Sequence, residues 1–163
     1  MGSNLGDPRE NCIYALGRIG EIDGVTPVRR SSLYRTEPWG VANALWFVNA
    51  VAEIKCKIGA SDLLYALHAI EREMGRDPAP QTGEARIIDL DILLLGQMVV
   101  SGAYLTIPHP RLHRRRFVLV PLNELASYVI HPAFGVSVHG LLERLDDTTV
   151  VERIVPEEEP VRC

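Results

Sequence analysis

The thirteen residues from Trp46 to Ile58 alternate without a break. Trp46, Val48, Ala50, Ala52, Ile54, Cys56 and Ile58 fall on one face, and Phe47, Asn49, Val51, Glu53, Lys55 and Lys57 on the other. Such a run predicts a strand with one apolar face, and Phe47 and Asn49 share the more polar side. Helical patterns flank it. Asp7-Pro8-Arg9-Glu10 offers a cap, a first-turn proline and an early glutamate, and Cys12, Ile13, Leu16 and Ile19 follow at helical spacing, predicting a helix from about Pro8 to Ile19. A second helix is predicted after a cap at Ser61 or Asp62, with a stripe of Leu63, Leu67, Ile70 and Met74 that stops at Gly75 in the C′ position. Sheet and helix must therefore pack together in one structure.

Three other stretches read as extended. Val25 to Thr36 predicts a strand ending at the turn signal Glu37-Pro38-Trp39-Gly40. Arg86 to Leu95 predicts another, with Ile88, Leu90, Ile92 and Leu94 on one side and Ile87, Asp89, Asp91, Leu93 and Leu95 on the other. Met98 to Thr106 suggests a hairpin around Ser101-Gly102, while the short pieces from Ile107 to Leu122 fit no single element. The ten residues Arg76 to Ala85 hold two prolines and a glycine and exceed a typical connection, as functional loops often do.

A chain of 163 residues, 47% hydrophobic and 23% charged, is expected to form one domain over 1–163, with 156–163 as an acidic tail. No window approaches the roughly 18 apolar residues of a membrane span, and the first residues lack the pattern of a signal peptide, so a cytoplasmic protein without a membrane partner is expected. Cys12, Cys56 and Cys163 share no short spacing, which excludes a disulfide framework or zinc knuckle; Cys12 and Cys56 read as small core residues. The net charge of −4 argues against a general grip on nucleic acid, although Arg111-Leu112-His113-Arg114-Arg115-Arg116 concentrates positive charge.

Asp89 and Asp91 carry the sharpest chemical signal. An i, i+2 pair on a strand points both carboxylates the same way, and two hard oxygen donors at that separation suit Mg²⁺ shared with nucleotide phosphates. Alone, Asp-x-Asp reads equally well as a surface pair or as partners for Arg86. An EF-hand is excluded, because Ile92 to Leu95 brings no further ligands. Arg76 and Arg86 bracket the long loop and Arg115 lies in the later cluster; guanidinium groups converging on carboxylates are what a polyphosphate requires. Phe47 and Phe117 could sandwich a flat heterocycle while the Asn49 amide offers donor and acceptor to its edge, although packing is the usual fate of phenylalanine. His109, between two prolines, is placed for a phosphate contact; the other histidines show no metal-ligand spacing.

In order along the chain, Gly2-Ser3-Asn4-Leu5-Gly6-Asp7, Ser32-Leu33-Tyr34-Arg35-Thr36-Glu37-Pro38-Trp39-Gly40, Phe47-Val48-Asn49-Ala50-Val51, Glu71-Arg72-Glu73-Met74-Gly75-Arg76, Arg86-Ile87-Ile88-Asp89-Leu90-Asp91-Ile92-Leu93 and Ile107-Pro108-His109-Pro110 to Leu122 resemble the 6-hydroxymethyl-7,8-dihydropterin pyrophosphokinases of folate biosynthesis. The resemblance implies transfer of the diphosphate of ATP to the pterin hydroxymethyl group, with release of AMP. It implies that Asp89 and Asp91 hold two Mg²⁺ ions, that Arg76 and Arg86 act with them in catalysis, and that Leu64, Glu71, Ile92, Thr106, His109 and Arg115 join them in binding the nucleotide. Thr36, Glu37, Pro38, Trp39, Phe47, Asn49 and Phe117 would bind the pterin. The implied fold is ferredoxin-like α+β, an antiparallel sheet with packed helices, acting as a monomer on small molecules. The chain differs from the family's usual pattern at Pro78, Gly83 and Pro110.

Met1 stands directly before the Gly2-Ser3-Asn4 motif, where the resemblance implies a central first strand. The first strand is thus expected to be missing, and an apolar strand of about six residues before Gly2 is expected to stabilise the protein. A ferredoxin-like RNA-binding module using Phe47, Phe117 and the arginine run is a rival reading, opposed by the acidic charge and by Asp89 with Asp91. An inactive relative that binds pterin or nucleotide is another.

Overall fold

The computed structural model describes residues 1–38, 45–76 and 85–155. Within these, eight short strands and four α-helices follow the order β1 (Gly2–Ser3), α1 (Pro8–Gly20), β2 (Val25–Arg30), β3 (Tyr34–Thr36), β4 (Phe47–Asn49), β5 (Ala52–Cys56), α2 (Ala60–Glu73), β6 (Val100–Ser101), β7 (Thr106–Ile107), α3 (Arg116–Ala126), α4 (Val138–Glu143) and β8 (Val151–Arg153). All pairings are antiparallel, and the fold is α+β.

The sequence expectations hold best where a local cap fixes an element. Asp7 accepts the amides of Arg9 and Glu10 at 3.1 Å each, Pro8 sits in the first turn, and α1 buries Cys12, Ala15 and Ile19. Helix α2 buries Leu63, Leu67 and Ile70, and Gly75 closes it with a φ of +92°, a left-handed conformation that favours glycine. Its N-cap is Gly59, not Ser61 or Asp62, and no side chain caps it.

The two long predicted strands form one bent hairpin rather than two straight rods. β2 pairs with β5 from Val25↔Cys56, the register slips between Pro27 and Arg29, and β3 resumes with β4 at Tyr34↔Asn49. The 25–36 strand is therefore broken at Ser31–Leu33 and the 46–58 strand at Ala50–Val51. Ser31 bridges the break: its amide donates to the Val51 carbonyl at 2.8 Å and its hydroxyl accepts the Val51 amide at 3.0 Å. At the same place the faces part, Val48 and Ala50 packing with α1 and α2, and Val51 with α3 and α4.

The sheet order is β1-β4-β3-β8. A two-residue first strand is present at the motif itself: Gly2–Ser3 pairs with Asn49 and Val48 on one side, and Gly2 exchanges backbone hydrogen bonds with Asp89 on the other, at 3.0 and 2.8 Å. Residues 86–95 do not form the expected continuous strand; the Gly2↔Asp89 bridge is their one ladder contact, and beyond Ile92 the alternation fails, since Leu93 and Leu94 both pack on the second core. The hairpin around Ser101-Gly102 is present but displaced, with β6 at Val100–Ser101 and β7 at Thr106–Ile107.

Phe117 to Leu122, unassigned from sequence, lies in α3. Pro121 removes an intrahelical donor and argues locally against a helix, yet burial of Leu119, Leu122 and Leu125 holds it. Glu124 fixes α3 to β3, accepting from the Tyr34 hydroxyl at 2.8 Å and from the Ser32 amide and hydroxyl. Helices thus cover both faces of the sheet, α1 and α2 over one core and α3 and α4 over the other. Cys12 is a core residue as expected, and burial pushes its thiol up to about 11. No helix among the described residues is long and apolar enough to cross a membrane.

Candidate active site

Two buried polar residues anchor the site. Asn4, 4% exposed, donates its backbone amide to the Arg86 carbonyl at 3.1 Å and accepts the Arg86 amide on Oδ1 at 2.7 Å. With the Gly2↔Asp89 bridge, this fastens residues 86–89 to β1. Glu71, 3% exposed in the last turn of α2, accepts the Leu90 amide on Oε1 at 2.6 Å and pairs with Arg76 through the same oxygen. Burial raises its carboxyl above the usual range, against the opposing pull of the Leu90 amide and Arg76.

A row of alternating charge stands on this floor. Arg76 Nη1 is 2.7 Å from Asp89 Oδ1, and Arg86 Nη1 is 2.7 Å from Asp89 Oδ2, so both carboxylate oxygens are engaged. Asp91, more open, has its Oδ2 3.9 Å from His109 Nε2. The imidazole is oriented by its surroundings: the His109 amide donates to the Leu93 carbonyl at 2.9 Å, and Nδ1 accepts the Arg111 amide at 3.2 Å. The neutral ring therefore carries its proton on Nε2, toward Asp91. Burial lowers the pKa of His109, with Asp91 opposing; burial and then Arg111 lower that of Arg115, with Asp91 and Asp89 opposing.

Arg76, Arg86, Asp89, Asp91, His109 and Arg115, read separately from the sequence, thus come within one electrostatic neighbourhood. Glu71 lies beneath it as support. Thr106 bonds within its own hairpin, to the Gly102 carbonyl at 3.5 Å; Leu64 is half-buried on α2, and Ile92 packs against the first core.

The second group gathers on β3 and β4. Asn49 Nδ2 donates to Thr36 Oγ1 at 2.6 Å, with both residues buried. Gly2 lies directly over this amide, since a Cβ there would overlap Asn49 Oδ1. Phe47, half-buried, is the cross-strand partner of Thr36. Phe117 stands in the first turn of α3, its ring centroid 5.5 Å from the Arg115 guanidinium carbon, and α3 packs against β3 and β4. Glu37 is exposed and ties its amide to the Val150 carbonyl at 3.0 Å; Pro38 is half-buried. Trp39, Pro78, Gly83 and the 156–163 tail lie outside the described residues.

The donor set suits Mg²⁺ only in company. Among the described residues no three His, Cys, Asp or Glu side chains gather to hold a metal, and Mg²⁺ is commonly held by one or two carboxylates plus substrate phosphates. Asp89 and Asp91 meet that need, and the adjoining arginines suit the phosphates. Reading the residues singly misses the parts played by Asn4 and Gly2; the only trace is the small polar run Gly2-Ser3-Asn4 ahead of the α1 cap.

Comparison with known proteins assigns the family. Residues 1–127 match the family described as 7,8-dihydro-6-hydroxymethylpterin-pyrophosphokinase (HPPK). The chain is similar to proteins named 2-amino-4-hydroxy-6-hydroxymethyldihydropteridine pyrophosphokinase. That of Haemophilus influenzae is 42% identical over 132 residues, 81% of this chain and 82% of that protein. That of Methylorubrum extorquens is 35% identical over 154 residues, 94% and 95% of the two chains. That of Pseudomonas aeruginosa is 41% identical over 126 residues, 77% of each. The chain belongs to the 7,8-dihydro-6-hydroxymethylpterin-pyrophosphokinase family.

Proposed function

We propose that this protein transfers the diphosphate of ATP to the hydroxymethyl group of 6-hydroxymethyl-7,8-dihydropterin, releasing AMP, in folate biosynthesis. The observation that carries this reading is the Asp89 carboxylate clasped by Arg76 and Arg86 beside the open Asp91, in a member of the pyrophosphokinase family.

Phosphoryl-type transfer asks for positioning and charge neutralisation more than covalent help. In this reading Asp89 and Asp91 hold two Mg²⁺ ions, which when bound offset charge on the transferring diphosphate. Arg76 and Arg86 shift from carboxylate to phosphate oxygens, a short swing between two acceptors for a planar, permanently charged group. His109 donates from Nε2 and Arg115 adds a further cation, while Leu64, Glu71, Ile92 and Thr106 complete the nucleotide side. Asn49 presents its amide to the pterin edge, Phe47 and Phe117 stack on the ring, and Thr36, Glu37, Pro38 and Trp39 complete that pocket. We read the fold as ferredoxin-like and residues 1–163 as one domain with an acidic tail at 156–163, acting as a cytoplasmic monomer on these small molecules and on no nucleic acid.

Incubation with ATP, Mg²⁺ and the hydroxymethyl dihydropterin tests the reading. AMP formed in step with consumption of the pterin supports it. ADP points to an ordinary kinase, and tight binding of both ligands without AMP points to an inactive relative.

A further inference from the structure

The start of α3 carries residues of both halves of the site, Arg115 at the N-cap and Phe117 in the first turn. An arginine has no acceptor, so Arg115 cannot cap the helix with its side chain. The leucines that fix α3 to the second core, Leu119, Leu122 and Leu125, all follow Phe117, which is itself half-buried. The cap comes from a residue 31 positions after Arg116: Asp147 Oδ2 accepts the Arg116 amide at 2.9 Å. A carboxylate thus satisfies one of the orphan donors at the positive end of the helix.

The other oxygen of the same carboxylate, Oδ1, accepts the Thr149 amide at 2.9 Å and the Thr149 hydroxyl. That turn leads directly to the pterin side. The Val150 carbonyl accepts the Glu37 amide at 3.0 Å, and the Val150 amide donates to Glu37 Oε2 at 3.4 Å. Val151 then pairs with Thr36, and the Ile154 amide donates to the Leu33 carbonyl at 2.8 Å. Within Asp146-Asp147-Thr148-Thr149 the second and fourth residues are half-buried and bonded, while Asp146 and Thr148 are exposed. Burial alone would raise the Asp147 carboxyl, but the Thr149 hydroxyl, the amides of Arg116 and Thr149 and the Arg116 charge outweigh it and hold the group below the usual carboxylate range.

A flat ring stacked between two aromatic side chains requires a slot of fixed width. One wall, Phe47, is the cross-strand partner of Thr36 and belongs to that strand end; the other, Phe117, belongs to the first turn of α3. We infer that Asp147 is a positioning residue for the pterin, a clip between the start of α3 and the Thr36–Glu37 strand end that sets the separation of Phe117 from Phe47. The nucleotide side is spared, because Arg115 has its own anchor: its amide donates to the carbonyl of the fully buried Leu112 at 3.4 Å. The inference rests on the reading of Phe47 and Phe117 as the pair that stacks on the pterin.

A double-mutant cycle on the full chain, read by steady-state kinetics, tests it. In Asp147→Ala the ligand must order the turn itself, so the stabilisation of the lost cap appears as lost affinity. The KM for the hydroxymethyl dihydropterin should rise roughly 5- to 30-fold, with kcat at saturating pterin and the KM for ATP within about two-fold of wild type. Asp147→Asn keeps an acceptor for one side of the clip and should shift the pterin KM in the same sense by a smaller factor. In a Phe117→Ala background, Asp147→Ala should alter the pterin KM by less than about two-fold, because Asp147 acts through that ring. Ser137→Ala removes the cap of α4, where Ser137 accepts the Gly140 amide at 3.1 Å. It should lower the melting temperature as Asp147→Ala does and leave the pterin KM unchanged, which separates positioning from loss of stability. With wild-type protein forming AMP, an unchanged pterin KM in both Asp147 variants, an equal rise for ATP, or the same factor in the Phe117→Ala background would overturn the inference. Wild-type protein that neither forms AMP nor binds the pterin would refute the underlying function and the inference with it.

Discussion

Arg76 and Asp89 meet at 2.7 Å, and the same arginine pairs with the buried Glu71, so one guanidinium bridges a structural carboxylate and a site carboxylate. With Arg86 on the other oxygen of Asp89, the row is neutralised internally and offers two cations to any ligand that competes for them. Asp89→Asn or Asp91→Asn should lower turnover by at least about 100-fold, ~3 kcal/mol in the barrier, with the melting temperature retained. Asp89→Asn also releases both arginines, so binding of Mg²⁺-free ATP should hold or tighten. Wild-type turnover in both variants at limiting Mg²⁺ would refute the assignment.

Pterin recognition should separate from nucleotide binding. Phe47→Ala, Asn49→Ala and Phe117→Ala are each expected to weaken pterin binding by about 1 to 3 kcal/mol, roughly 5- to 150-fold, while the dissociation constant for ATP changes little. Titration calorimetry with each ligand decides the matter. Parallel loss of both would mean that these side chains support the fold.

Gly2→Ala tests the contact between β1 and the Asn49 amide proposed to face the pterin. The added methyl group would overlap Asn49 Oδ1, and Asn49 is also tied to Thr36, so the amide must turn or β1 must move. Overpacking of this kind costs about 1 to 3 kcal/mol. Melting temperature and pterin affinity should fall together, whereas Gly17→Ala, inside α1 where a Cβ meets nothing within 4 Å, should leave pterin affinity unchanged and raise the melting temperature slightly through helix propensity.

Stability should depend on pH through His131. Its ring is 3% exposed, stacks on Phe134 at 4.2 Å, and its Nδ1 has no hydrogen-bond partner among the described residues. Burial lowers its pKa, with His113 adding to the effect. The unfolded chain then binds the proton more readily, so this contribution is complete above the unfolded value of about 6.5 and is lost as pH falls toward the folded value. Thermal melts at pH 7.5 and 5.5 should differ accordingly, and His131→Phe should reduce the difference. An unchanged difference would place the titration elsewhere.

Where local chemistry decides, the sequence is readable. Asp7 with Pro8 marks the start of α1, Gly75 the end of α2, and the apolar alternation turns Asp89 and Asp91 away from the first core. Where a distant partner decides, it is not. The break at Ser31–Leu33 arises from a register slip against β4 and β5, and α3 forms around Pro121 because its other residues are buried. Glu71 shares a helix stripe with Leu64 and His68 in the sequence, but only the fold reveals it as the buried support of Arg76 and Leu90. Asn4 likewise owes its role to Arg86, 82 residues away.

The fate of the β-phosphorus of ATP separates diphosphate transfer from ordinary kinase chemistry. With ATP labelled at the β position, Mg²⁺ and the hydroxymethyl dihydropterin, the account predicts that the label leaves the nucleotide, appears in a pterin diphosphate ester, and matches unlabelled AMP one for one. Label retained in ADP, with a single phosphate on the pterin, would contradict it.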